Sequence, residues 1–150
     1  MTNGSNGSEV STAIRCKWYS NIDQRPPANA CLTSVAARLA AVYNESGVEA
    51  ALAFYDELRQ SSAADYRFDE WELNSFAYDL LAVGKTDDAL AVFKKNAMQY
   101  PDASNPYDSL GEIYLQLGDN DKAIQNFKRS LELDPGNTNA AEMLQRLGAS

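Results

Sequence analysis

Shifted by 34 residues, the chain matches itself, and this self-similarity limits the fold more than any other feature. Gly84 falls on Gly118, Ala89 on Ala123, Phe93 on Phe127 and Pro101 on Pro135. Ahead of them, Leu73 falls on Tyr107, Phe76 on Leu110, Ala77 on Gly111 and Leu80 on Tyr114. Apolar residues recur three and four apart in both copies, the period of an amphipathic helix, and nothing from Cys31 onward alternates as a strand does. A period of this length marks stacked helical units, none of which buries its apolar face alone. A looser copy precedes the two. "VAARLAAVYNESGVEAALAFYDEL" sets Ala51 against Ala89 and Tyr55 against Phe93 at a spacing of 38, the four extra residues falling in "SSAADYRFDE".

The pattern predicts seven helices, over 32–45, 48–61, 70–83, 86–99, 105–117, 120–133 and 138–147. Local signals agree with it. Asp69 followed by Glu72 has the form of a capping box. Asn105–Pro106 puts proline at a first helical position. Thr86 and Asn120 suit N-caps, and Asp87, Asp88 and Asp121 stand where the helix dipole favours anions. Gly84 and Gly118 suit left-handed C-caps. The expected organisation is a flexible or extended arm over 1–30 and a helical domain over 31–150. Within the domain, a degenerate repeat covers about 32–65, full repeats cover 70–103 and 104–137, and a cap helix covers 138–147. The opening "MTNGSNGSEVS" is small, polar and glycine-rich, like a linker, and Pro26–Pro27 would stop a helix in the stretch after it.

These residues resemble the tetratricopeptide repeat. The second copy carries the pattern best: Tyr107, Leu110, Gly111 and Tyr114 in a first helix, then Ala123, Phe127 and Pro135. The first copy has Ala77 for the glycine and Leu80 for the tyrosine, with Ala89 and Phe93 following. The resemblance implies an all-α right-handed superhelix of antiparallel helix pairs with a C-terminal capping helix. It also implies that the first helices line a concave groove. The runs "YPDASNPYDSLGEIY" and "SLELDPGNTNA", within about 33–147, further resemble a module found at the C-terminus of some bacterial serine hydrolases of the β-lactamase-like and α/β kinds. The hydrolase motifs themselves are absent, so no catalytic residue is carried over.

The stretch "YDSLGEIY", Tyr107–Tyr114, poses the question of catalysis. Asp108 and Glu112 lie one turn apart, about 6 Å between Cβ atoms, on a single helix. Carboxylates that cleave glycosides flank the scissile bond, which two neighbours on one helix cannot do. Ser109 has no histidine to activate it, since the chain contains none. Gly111 costs about 1 kcal/mol relative to alanine in a helix interior. The expectation is that a large side chain of the partner helix fills the notch it leaves. Ala77, Ala89 and Ala123 are the corresponding small residues.

The predicted function is peptide or protein binding without catalysis. By helical spacing the groove residues are Trp71 at the edge, Asn74 and Tyr78, then Asn105, Asp108, Ser109, Glu112 and Gln116. Members of the family that bind chaperone tails clamp a terminal carboxylate with lysines and an arginine. None of these positions is Lys or Arg, so a basic or neutral partner is expected rather than an acidic one. Lys94, Lys95, Lys122, Lys128 and Arg129 fall on second helices, on the expected convex face. The alternative is a structural accessory domain that docks onto a hydrolase domain or self-associates as a homo-oligomer.

Charge and composition narrow the partners. The net charge is −8; residues 1–31 hold three basic and two acidic side chains, so the remainder carries −9. Nucleic acid and anionic membranes would be repelled. Without histidine, and with only Cys16 and Cys31, no metal site and no cofactor are expected. Two Asn-Gly-Ser triplets and Asn44-Glu45-Ser46 fit the glycosylation pattern, but no secretion signal accompanies them. The chain reads as cytoplasmic, or periplasmic if it belongs to an exported parent.

Overall fold

The computed structural model describes residues 33–61 and 66–149. The expected arm over 1–30, with Cys16, and also Cys31 lie outside the described residues. Six helices follow one another: α1 (Val35–Ser61), α2 (Glu70–Ala82), α3 (Thr86–Gln99), α4 (Ser104–Gln116), α5 (Asn120–Leu133) and α6 (Thr138–Arg146). Two short strands, β1 (Thr33–Ser34) and β2 (Tyr66–Arg67), pair in parallel, with Thr33 opposite Tyr66 and Ser34 opposite Arg67.

The first two expected helices run together as α1, bent at Gly47, whose φ of 83° and ψ of −177° break the helix for one residue. Only glycine takes such a conformation at low cost, so the loop between the two halves shrinks to a single hinge. The start of α1 also differs from the sequence expectation, by three residues. Glu72 of α2, almost fully buried, accepts from the Ser34 hydroxyl at 2.6 Å, the Ala36 N–H at 3.0 Å and Arg67 Nε at 2.7 Å. A carboxylate from another helix thus satisfies a free N–H in the first turn of α1 and holds the residues before it extended.

The caps confirm some signals and correct others. Asp69 caps α2 through the N–H groups of Trp71 and Glu72, at 3.1 and 3.2 Å. Glu72 does not complete the box, because its carboxylate is taken by α1. The N-caps of α3 and α5 are Lys85 and Asp119, one residue before the expected Thr86 and Asn120. Asp119 wins because its carboxylate accepts from the Lys122 N–H. Helix α4 begins at Ser104, so Pro106 sits two residues further in than expected, still within the first turn, where a missing N–H costs nothing. Gly84 and Gly118 have φ of 77° and 79°, and the two residues closing each helix bond back onto its last turn, as left-handed caps do.

Each helix packs on the next, and α1, α2 and α4 also pack on the next but one. The aligned apolar residues form one continuous core. Ala51, Tyr55, Leu73, Ala77, Ala89, Phe93, Ala123 and Phe127 are all fully buried, and Phe76, Leu80, Leu110 and Tyr114 nearly so. Ala140 and Leu144 of α6 close its end. On the outer helices, Lys95 is paired with Asp56 at 2.7 Å and is half-buried rather than fully solvated. Lys122 pairs with Asp119, and Arg129 pairs with Glu132 at 3.0 Å.

Gly111 is the tightest point of this core. A Cβ built there would lie 2.5–2.8 Å from ring atoms of Phe127, which is itself fully enclosed. Replacing Gly111 by alanine gains about 1 kcal/mol of helix propensity but overpacks the pair by about 1–3 kcal/mol. The expected outcome is a net loss of up to about 2 kcal/mol, a midpoint lowered by up to about 10 °C. Adding Phe127→Leu to Gly111→Ala should cost less than the two single changes summed. A double-mutant cycle followed by thermal denaturation measures that coupling.

Candidate functional site on the first-helix face

Helices α2, α4 and α6 are alternate members of the stack, and their side chains meet on one face. Tyr78 of α2 donates its hydroxyl to Glu112 Oε2 at 2.7 Å and lies 3.3 Å from Ser109 Oγ. Asn139 of α6 donates Nδ2 to Asp108 Oδ2 at 2.8 Å and to Glu112 Oε1 at 3.0 Å. The carboxylates of "YDSLGEIY" therefore form the middle of a polar network joining three helices. All its donors are neutral, and neither Asp108 nor Glu112 is ion-paired among the described residues.

The network alters the acidities of its members. Burial above all, with the bonded Glu112 and the charge of Asp108, pushes the Tyr78 hydroxyl up to about 12, against the opposing effect of Ser109. Tyr78 is a permanent donor. Burial and the charge of Glu112 raise the Asp108 carboxyl above its ordinary value, while the Asn139 and Asn137 amides work the other way. Asp108 Oδ1 is enclosed and has no donor within 3.5 Å, although the Asn137 amide lies near enough to act on the carboxyl.

The sequence-predicted groove residues come together, but not all are exposed. Trp71, Glu112 and Gln116 are exposed, Tyr78 marginally so, and Asn105 and Asp108 are half-buried. Asn74 and Ser109 are buried, at 5% and 3% exposure, and so are walls of the groove rather than open surface. Helical spacing puts both on the same face as Tyr78 and Glu112. What covers them is the close approach of α2 and α4, which periodicity does not measure. Trp71 stands where expected, at the edge, beside a cleft of about 310 Å³ bordered by Arg67, Glu72 and Ser75. Asn139 was not among the predicted residues. Its signal was present, since it falls 34 residues after Asn105.

Two seams cross this face, and they differ. Across α4–α6, Asp108 and Asn139, 31 residues apart, bond directly. Across α2–α4, the equivalent pair is Asn74 and Asn105, also 31 apart. Here the acceptor Asn74 Oδ1 and the donor Asn105 Nδ2 are both enclosed and both unpartnered.

This is a helical-repeat domain, a stack of antiparallel helix pairs with a polar seam along its first helices. Residues 109–137 match the family model of the tetratricopeptide repeat, and the fold is the all-α fold of tetratricopeptide domains. The chain is similar to the second TPR domain of human RPAP3, solved with an HSP70 peptide, SGPTIEEVD: 23% identity, TM-score 0.52, covering 78% of this chain and 94% of that one. It is similar, too, to the first TPR of Spaghetti (RPAP3), bound to an HSP90 peptide, SRMEEVD, at 15% identity and TM-score 0.52, again over 78% and 94%. At these identities the likeness is one of fold. In sequence it resembles the Protein CTR9 homolog of Arabidopsis thaliana, 33% identical over 60 residues, which is 40% of this chain and 6% of that protein. The chain thus spans a small part of that relative.

Because the folded carboxyl of Asp108 holds its proton more tightly than the unfolded one, its contribution to stability is present at low pH. It is lost as pH rises from about 3.8 through the folded value. Asp108→Asn keeps the acceptor for Asn139 and removes the charge. The melting midpoint of the variant minus that of the wild type should therefore grow as pH rises across this window, then level off near neutrality. Thermal denaturation of both proteins across the acid range checks it.

Proposed function

We propose that the chain is a non-catalytic module that holds an extended peptide on the face of α2, α4 and α6, which is the concave side in such arrays. The Asn74–Asn105 seam carries this reading. An enclosed polar atom without a partner costs about 1–3 kcal/mol, and this seam holds an acceptor and a donor that are both closed to solvent and both without partners. Turned outward onto the face, the two amides would be offered the complement by a peptide unit, an N–H for Asn74 Oδ1 and a C=O for Asn105 Nδ2. The peptides in the two RPAP3 structures support the class of ligand. The partner here is basic or neutral, because none of the eight predicted groove positions supplies a cation and two supply carboxylates. In this reading the arm over 1–30 is a separate element preceding the repeat domain. Absence of histidine supports the non-catalytic assignment.

A second reading rests on a different surface. Val83 and Leu117 occupy the same position in successive repeats, 69% and 45% exposed, along the edge where first helices turn into second ones. In this reading the module is a bacterial accessory domain, docked by that edge to a hydrolase domain or to a second copy. If copies pair, light scattering of the 150-residue chain should give twice 16.5 kDa, and Val83→Ser with Leu117→Ser should return the monomer. A monomer across the accessible concentration range removes self-association.

For the peptide groove, the probe is a randomised pool of decapeptides blocked at both ends, applied to immobilised protein. Asn74→Ala with Asn105→Ala should reduce the retained peptide at least about tenfold, the loss of one or two net hydrogen bonds. The same change removes two unpartnered buried groups, so the melting midpoint should not fall by more than a few degrees. Undiminished retention by the double variant would overturn the groove.

A further inference from the structure

We infer that the cleft beside Trp71 is the docking site of a segment of this same chain, Arg25, Pro26 and Pro27, which precedes the described residues. The inference stands apart from the peptide groove and does not rest on it. The cleft measures about 310 Å³ and is bordered by Ser34, Arg67, Asp69, Trp71 and Glu72. That volume is at the lower end for ligand pockets, room for one or two side chains rather than for a cofactor. Trp71 stands 59% exposed at the start of α2, where Asp69 holds its backbone N–H at 3.1 Å. Among the described residues its indole N–H has no acceptor and its ring stacks on no other ring. The carboxylate of Glu72 is already committed to Ser34, Ala36 and Arg67. What the cleft offers a ligand is therefore the uncovered indole, on a firmly held backbone.

Position, chemistry and charge select the occupant. The chain enters the structure at the cleft, since Ser34 borders it. Five residues, 28–32, separate Pro27 from Thr33. With the steps at either end they span at most about 20 Å, enough to turn back from β1 to a cleft that begins at Ser34. A tether this short holds the prolines beside Trp71 at an effective concentration of about millimolar. Proline has a fixed φ and no N–H, so a Pro-Pro pair covers an aromatic face at small entropic cost and leaves no donor unpaired. Its carbonyls are acceptors, the complement of the indole N–H. The cleft sets two carboxylates, Asp69 and Glu72, against the single guanidinium of Arg67. Arg25, next to Pro26, brings a second cation.

The test reads Trp71 by its own fluorescence in the full chain. The chain has two tryptophans, so Trp18→Phe leaves Trp71 as the sole emitter. Quenching by acrylamide, which is neutral, is measured in this protein and in the same protein with Pro26→Ser and Pro27→Ser added. Cover on one face of the ring about halves its access, so the quenching constant should rise about twofold in the serine variant, with emission moving to longer wavelength. Thermal denaturation confirms that both proteins are folded. The protection in the Trp18→Phe chain should not change with protein concentration, because a contact within one chain does not. Equal quenching of the two proteins overturns the docking. Protection that disappears on dilution assigns the cover to a second copy and overturns the contact within the chain.

Discussion

The structure depends on the interlocking of a missing side chain with a large one. Gly111 opens a notch in α4, and the ring of Phe127 from α5 fills it so closely that not even a methyl group would fit. Ala77 and Phe93 stand at the aligned positions one repeat earlier, and Ala51 and Tyr55 continue the small-then-aromatic order in α1. Burying each aromatic ring is worth about 1.5–3 kcal/mol, and more of that is realised when two helix backbones can approach. Close approach within a pair also sets how the next pair lies upon it. The alternate helices α2, α4 and α6 then come near enough for side chains one turn apart to bond across the seams.

The polar face follows from that spacing. Tyr78 reaches Glu112, and Asn139 reaches both Asp108 and Glu112, because α2, α4 and α6 pack on one another as alternate helices. Equivalent positions in the repeat do not bring the same contacts. One seam joins an amide to a carboxylate and is closed. The other joins an amide to an amide and stays open at Asn74 Oδ1 and Asn105 Nδ2. The chemical interest of the domain lies in this difference between two places that the repeat makes equivalent in sequence. Asn74 Oδ1 is as able to accept from an amide as Asp108 Oδ2, so the difference lies in how the side chains are placed and not in which residues are present.

Glu72 shows a different coupling. Its position three residues after Asp69 is a local signal for a capping box, and the Asp69 half of that signal holds. The carboxylate of Glu72 instead crosses to Ser34, Ala36 and Arg67. Local grammar places a residue correctly on its helix. It does not say which neighbour will compete for the side chain once other elements arrive. Asn74 and Ser109 follow the same rule: helical spacing put them on the groove face, and the approach of α2 to α4 buried them.

The sequence by itself determined the architecture. A 34-residue period with glycines at fixed offsets leaves few folds open, because hydrophobic spacing and left-handed caps act within each segment and need no distant partner. It also set Tyr78, Asp108 and Glu112 at helical positions from which the structure joins them in one network. It also contained Asn139, at the repeat distance from Asn105, on a helix whose other side carries an apolar stripe. Only the tertiary structure decided which of these groups are satisfied. Whether Asp108 meets Asn139, whether Asn74 meets Asn105 and where Glu72 turns are matters of distance between helices. Hydrogen bonding falls away steeply beyond about 3.5 Å, a tolerance that no pattern along a chain can resolve.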